Sequence, residues 1–232
     1  MSLIKHGPCE ACGSRDNRAE YVNGWWCFGC GKYTPKQDNE SLRKRLENTT
    51  TYGKSCEKLT TTNTLPLVAE QWLSKYGLTK EEKAQFSWCE DQNLLILLQD
   101  ENYWQGRNFA IGSKYLSRGN KPIKLFGKSL NSETIIFTED VISAIKVSRF
   151  VTSCPLLGST IGLDKILSLS GGFNHYFLWL DMDKAKESVK QAKIASQAWP
   201  NCSVIITELD PKEYTNAELK KILTDKDIKI CF

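Results

Sequence analysis

No apolar run in this chain approaches the ~18–20 residues that a helix needs to cross a bilayer, so no helical membrane span is expected. The first ten residues, MSLIKHGPCE, lack the apolar centre of a secretion signal. Nine cysteines is an odd number for a disulfide framework, and without an export signal the thiols are expected reduced, in a cytoplasm. The chain also lacks the charge excess that would by itself argue for nucleic-acid binding. Its formal net charge is +4, so the placement of charge matters more than the sum. The polar excess of a disordered chain is missing too: 41% of the 232 residues are hydrophobic, enough for one mid-sized domain or a domain plus a small module. No internal repeat is present. A nucleotide-driven motor is excluded, because GKS at 127–129 would put the first glycine of a phosphate-binding loop at Pro122, with no strand–loop–helix frame around it.

Four of the cysteines do cluster. Cys9, Cys12, Cys27 and Cys30 are spaced C-x2-C-x14-C-x2-C, and each C-x2-C turn supplies two sulfurs at the separation a tetrahedral Zn²⁺ takes. A redox pair is the alternative, but it needs only one such turn. Few apolar residues surround the cluster, so one structural zinc is expected to provide most of its folding energy. Trp25, Trp26, Phe28 and Tyr33 crowd this ribbon, either packing its small core or stacking on nucleic-acid bases. Cys56, Cys89, Cys154, Cys202 and Cys231 are scattered and read as ordinary reduced cysteines.

Residues 36–66 are polar and threonine-rich, a flexible linker with room for a short helix over SLRKRLEN. Beyond it, LVAEQWLSKYG and TKEEKAQF read as helices, the first stopped by Gly77, and NLLILLQDENYWQGRNFA as strand, turn and strand. From Glu133 strands and helices alternate: TIIFTE, DVISAIKVSRF, VTSCPLL, GLDKILSLS, HYFLWLD, DKAKESVKQAKIASQAW ended by Pro200, CSVIITEL, and NAELKKILTD with Thr215 as its cap. That alternation predicts an α/β domain with a largely parallel sheet, whose sites gather at the carboxyl ends of the strands.

Three of those apolar strands end in acid. Glu139 follows TIIFT, Asp181 and Asp183 follow YFLWL, and Asp210 follows SVIITEL. Residues i and i+2 of a strand share a face, so Asp181 and Asp183 are expected side by side, an arrangement that repels unless a cation sits between them. On parallel strands all four carboxylates would face one edge, and hard oxygen ligands of this kind suit Mg²⁺. For any one acid the alternative is a helix cap or a solvated loop end. Between Asn102 and Ser132 there is no Asp or Glu, while Arg107, Lys114, Arg118, Lys121, Lys124 and Lys128 fall there. Such a segment ahead of an acidic metal edge is what a polyphosphate or nucleic-acid substrate needs, the alternative being a solvated face.

The ordered set resembles a DNA primase of the Toprim type, most closely the primase half of the primase–helicases of short-tailed bacteriophages. HGPCEACGSRDNRAEYVNGWWCFGCGKYT is similar to their zinc module, KLFGKSLNSETIIFTEDVISAIKV to the segment leading into their catalytic glutamate, LWLDMDKA to their metal-binding D-x-D, and LDPKEYTNAEL lies where they place another acid. The resemblance spans nearly the whole chain and implies a zinc ribbon over residues 1–35, a linker over 36–66, the first part of an RNA polymerase core over 67–132, and a Toprim catalytic domain over 133–232. It implies Glu139 as acid/base or metal ligand, Asp181 and Asp183 as ligands of Mg²⁺ or Mn²⁺, and Asp210 as an accessory acid. The basic residues from Arg107 to Lys128 would face nucleotide and template, and Trp25 and Trp26 the template bases. The implied partners are single-stranded DNA, nucleoside triphosphates, a separate hexameric helicase and a DNA polymerase, in the cytoplasm of a bacterial host. The chain departs from the pattern at Asp140, where a Gly is usual, at Ser143, where an Asp is usual, and at Lys186, where a Gly often stands. Asp140 either substitutes for the missing ligand or caps the following helix. A RecR-like recombination mediator and a Toprim nuclease are the rival readings.

Overall fold

Short polar strands alternate with cysteine turns at the start of the chain. In the computed structural model, which describes residues 5–21, 24–35, 56, 58–127, 132–199 and 201–226, they form an antiparallel sheet. Its strands β1 (Lys5–Gly7), β2 (Arg18–Tyr21), β3 (Gly24–Cys27) and β4 (Tyr33–Pro35) lie in chain order. The expected helix over 41–48, most of the expected linker, Lys128, Pro200 and Cys231 lie outside the described residues.

The second sheet is also antiparallel. Helix α1 (Leu67–Ser74) and the single turn α2 (Lys80–Lys83) precede it. A reciprocal capping box sets α2, Thr79 Oγ1 accepting from the Glu82 N–H and Glu82 accepting from the Thr79 N–H. The strands are β5 (Ser87–Cys89), β6 (Leu94–Gln99), β7 (Tyr103–Asn108) and β8 (Tyr115–Gly119), in chain order. The β6–turn–β7 hairpin was expected. β5 and β8 were not: β5 is three residues long, and β8 is exposed at all five positions and shows no alternation.

The third sheet is wholly parallel, as the alternating pattern predicts. It comprises β9 (Thr134–Thr138), β10 (Thr152–Pro155), β11 (His175–Trp179) and β12 (Cys202–Val204), in the order β10-β9-β11-β12. The crossovers carry α3 (Val141–Val147), α4 (Leu163–Leu169) and α5 (Ala185–Ala195), and α6 (Asn216–Asp225) follows the last strand. Ile135, Phe137, Tyr176 and Leu178 pack one face against Ile166, Leu169 and Ala192. Ile136 and Trp179 pack the other against Val147, Leu219 and Leu223. Both faces are covered, so β9 is buried at all five positions and reads as an unbroken apolar run. Val141, Ile142 and Ile145 of α3 also pack with Leu95, Leu97 and Tyr103 of the second sheet, which joins the two sheets through one apolar cluster.

Several bounds differ from expectation: the helix read over TKEEKAQF is the single turn α2, and α5 stops at Ala195, short of Trp199 and Pro200; two strand ends bear on the acids. β12 stops at Val204, where CSVIITEL suggested a longer strand. It is an edge strand, and beyond it the Trp179 indole donates to Thr207 Oγ1 and Thr207 donates to the Leu209 carbonyl, folding the chain into a turn. β11 ends at Trp179, so Asp181 and Asp183 lie past the strand, Asp183 within a 3-10 turn over Met182–Lys184. Among the described residues no helix is long and apolar enough to cross a membrane.

Candidate functional site

The four cysteines meet. Cys9 and Cys12 occupy the turn after β1, and Cys27 and Cys30 the turn that leaves β3. Each turn is closed by a backbone bond, Gly13 N–H to Cys9 O at 2.9 Å and Gly31 N–H to Cys27 O at 2.7 Å. All four Sγ atoms lie within 4.8 Å of one another, with Cys9–Cys30 at 3.9 Å and Cys12–Cys27 at 3.6 Å. Tetrahedral Zn²⁺ with Zn–S bonds of ~2.3 Å separates its sulfurs by ~3.8 Å, so the donor set fits one zinc ion. Burial opposes ionisation of Cys9, yet the amides of Cys12 and Ala11 bring its thiol down to about 6. The amide of Ser14 favours ionisation of Cys12, but burial and the three neighbouring sulfurs push it up to about 12. Four thiolates this close need a cation. Among the described residues this is the only grouping of three or more metal-ligating side chains within reach of one ion.

The aromatics of the ribbon separate by exposure. Trp25 and Trp26 on β3 are half-buried, and the Arg18 guanidinium lies 4.9 Å from the Trp25 ring. Phe28 is 60% exposed, stacked beside His6 at 6.3 Å. Its place between two cysteines of one turn leaves it no interior to enter, a signal present in the spacing.

At the carboxyl edge of the parallel sheet Glu139 follows β9, Asp181 follows β11, and Asp210 follows the turn after β12. Glu139 Oε2 and Asp181 Oδ1 are buried and meet no hydrogen-bond partner among the described residues. Burial raises the carboxyl of Glu139 above its ordinary value, and the negative charge of Asp140 and Asp183 adds to it against Lys184. Asp181 is pushed up to about 7, by burial first and by Asp140 next, against the pull of Lys212. Asp210 moves the other way. Burial opposes its charge, but the Met182 N–H at 2.9 Å and Lys212 hold its carboxylate below the usual range. Asp183 stands apart, exposed and paired with Lys184. The strand has ended before it, so strand alternation does not place it beside Asp181.

Asp140 does two things. Its Oδ1 caps α3 by accepting the Ser143 N–H at 2.9 Å, and its Oδ2 accepts from Ser143 Oγ at 3.2 Å and from Lys212 Nζ at 2.9 Å. The group that sequence reasoning missed is Lys212. Its ammonium lies 2.9 Å from Asp140 Oδ2, 2.6 Å from Asp181 Oδ2 and 2.9 Å from Asp210 Oδ2. Burial works against this charge, and Asp140 and Asp181 hold its pKa far above the ordinary lysine value. A lysine two residues after an acid carries no signal in the sequence; the 3-10 turn Pro211–Glu213 aims it back at the edge.

Two of the basic residues, Arg107 and Lys121, border this edge through neighbouring residues. The Arg107 guanidinium lies over the rings of Tyr115, Trp72 and Phe109 at 5.2, 5.7 and 5.9 Å, with its Nε buried and unpartnered. Tyr76 and Tyr115 are raised mainly by burial, and both feel Asp140, Lys212 and Arg107, which puts this aromatic cluster beside the acidic edge. Lys121 Nζ lies 3.0 Å from where a side chain on Gly158 would begin, and Gly158 donates its N–H to the Glu139 carbonyl at 3.0 Å. Lys114, Arg118 and Lys124 are exposed, Arg118 on β8 opposite Trp104.

No protein-family model and no curated protein matches the sequence. Solved structures do match. The primase fragment of the bacteriophage T7 primase-helicase protein is 18% identical, covering 97% of this chain and 99% of that one, with a TM-score of 0.47. The zinc-binding and RNA polymerase domains of the Aquifex aeolicus primase are 14% identical, covering 97% of this chain and 80% of that one, with a TM-score of 0.53. The resemblance read from the motifs is met at the level of architecture: this chain has the fold of a primase's zinc-binding and RNA polymerase domains.

Proposed function

We propose that the chain is a DNA primase, a nucleotidyltransferase that joins ribonucleotides into short RNA primers on single-stranded DNA, in the replication of a bacteriophage. The observation that carries this reading is the convergence, at one edge of a parallel sheet, of Glu139, Asp140, Asp181 and Asp210, with two buried carboxylate oxygens left without partners, beside Arg107 and Lys121. The fold supports it by analogy.

The residues divide the work. Arg107 and Lys121 bind the triphosphate or template backbone next to the acids, and Lys114, Arg118, Lys124 and Lys128 extend the basic track. Glu139, whose carboxylate has a raised proton affinity because it is buried, takes the proton of the attacking 3′-hydroxyl or shares in holding metal. Glu139 and Asp181 would hold Mg²⁺ or Mn²⁺, their buried oxygens Glu139 Oε2 and Asp181 Oδ1 suiting such an ion, and Asp183 would join them only by leaving its pair with Lys184. When bound, it supplies Lewis acidity that favours the alkoxide and balances the leaving pyrophosphate. Asp210 holds the edge together from the last turn. The zinc ribbon reads the template through Phe28, Trp25 and Trp26, on a linker that starts at residue 36 and whose last part docks on the core, Cys56 and Leu59 packing on the second sheet and Thr62 pairing with Trp88. A separate hexameric helicase and a DNA polymerase complete the machine.

Incubation with single-stranded DNA, labelled nucleoside triphosphates and Mg²⁺ tests the reading. Short RNA products are expected from the parent protein and none from Asp181→Asn, with unchanged circular dichroism. Shortened DNA would indicate a nuclease instead, and DNA binding without either product a recombination mediator.

A further inference from the structure

Three carboxylates surround Lys212: its ammonium donates to Asp181 Oδ2 at 2.6 Å and to Asp140 Oδ2 at 2.9 Å, and pairs with Asp210 Oδ2 at 2.9 Å. The lysine side chain is 14% exposed and its partners 18%, 20% and 23%. The backbone under it is tied down as well. Lys146, 4% exposed in α3, donates its ammonium to the carbonyls of Lys212 and Tyr214, and Pro211 is buried. A surface lysine on a long stem swings freely; this one is held at both ends. All three contacts use the Oδ2 side of the acids. The oxygens left over are Asp181 Oδ1 and Glu139 Oε2, both buried and without partners. Asp181 therefore presents one oxygen to a fixed ammonium and the other to no partner among the described residues.

We infer that Lys212 is a tethered cation that permanently fills one cationic position of this edge, leaving a single exchangeable divalent position that uses Asp181 Oδ1 and Glu139 Oε2. Two divalent ions are the usual way to balance both the attacking and the leaving oxygens in phosphoryl and nucleotidyl chemistry; here the ammonium supplies part of that charge without needing to be loaded. The inference deepens the proposed metal-dependent reading of the same edge. Lys146 is a positioning residue for it, acting through the backbone of the turn.

The test counts ions and does not depend on nucleotide joining. Mn²⁺ is titrated into the zinc-loaded full chain without nucleotide, and free Mn²⁺ is read by electron paramagnetic resonance. One Mn²⁺ per chain is expected, lost in Asp181→Asn. Lys212→Met is expected to bind a second Mn²⁺, or the first at least tenfold more tightly, because a competing positive charge has left Asp181. Lys212→Arg is expected to keep the parent's single site. Should Lys212→Met fold poorly, Lys212→Met with Asp140→Asn restores the charge balance, keeps the helix cap, and carries the same expectation. Two Mn²⁺ per chain in the parent that Asp181→Asn removes, or unchanged number and affinity in both the single and the double variant, overturns the inference. A parent that makes no primers while Lys212→Met shows the expected gain overturns the primase reading and leaves the tethered cation standing.

Discussion

Lys146 and Lys165 are both buried lysines, at 4% and 3% exposure, and they differ in what meets the ammonium. Lys146 donates to two carbonyls of the turn that carries Lys212. Lys165 has the Pro155 carbonyl at 3.3 Å, with no carboxylate in hydrogen-bond reach among the described residues. Burial lowers both pKa values below 10.5. The sign follows: the unfolded chain holds these protons to higher pH than the folded one, so stability rises as pH climbs from the depressed folded value towards the unfolded one, and is lacking below that window. Lys165→Met is expected to be neutral or stabilising by up to ~1 kcal/mol at pH 7 and to flatten the alkaline rise, since an apolar side chain of similar length removes an ill-matched buried charge. Lys146→Met is expected to cost about 1–3 kcal/mol, because it leaves two carbonyls unpaired and loosens the turn. Urea denaturation of both variants between pH 7 and 10 reads the two effects. A large loss of stability in Lys165→Met would show that its charge is matched by more than one carbonyl.

At the scale of elements, β8 shows where periodicity failed. Its five residues are exposed, so nothing in their order distinguishes a strand from a loop. What holds it is pairing with β7, from Tyr103 opposite Gly119 to Arg107 opposite Tyr115. Gly119 makes the pairing close: its φ is +92°, and a Cβ there would lie 1.9 Å from the Asn102 carbonyl oxygen. Gly119→Ala is expected to cost at least ~2 kcal/mol, from a backbone clash added to a φ that side chains avoid. The urea midpoint should fall with an unchanged slope. Because β8 carries Tyr115 over Arg107, triphosphate binding should weaken as well. A midpoint within error of the parent would mean that the end of β8 is free to shift. The D-x-D motif makes the same point about limits. YFLWL is a strand as its aromatics indicate, but its last hydrogen-bonded residue is set by the neighbours β9 and β12, and it stops before Asp181.

Over the whole molecule, the ribbon and the core are stabilised by different means. The four apolar clusters among the described residues contain no residue from 5–35, so the ribbon depends on its metal, while the two larger sheets share a core through α3. Removing zinc with a chelator, or replacing Cys27 and Cys30 by Ser together, is expected to unfold 5–35 and leave the core transition within about 2 °C of the parent, since structural zinc supplies the folding energy of such modules. Limited proteolysis should then cut the first 35 residues and spare the rest, with calorimetry reporting the core. Loss of the core transition on zinc removal would mean that the ribbon supports the core.

The sequence by itself determined what is local. The C-x2-C spacing closes its own turns, so Cys9, Cys12, Cys27 and Cys30 were legible as a cluster without any knowledge of the core. The apolar runs of β9 and β11, each followed by acid, were legible because a strand buried on both faces must be apolar along its length. Only the tertiary structure decided which carboxylates meet and what stands among them. Asp140 and Lys212 lie 72 residues apart, and Asp181 and Lys212 lie 31 apart. Their meeting depends on the order β10-β9-β11-β12 and on α3 and the 211–213 turn packing together. Charge acts through space and is screened over about 8–10 Å at ordinary ionic strength. A lysine's role is therefore set by the neighbours that the fold delivers to it, and these are invisible along the chain.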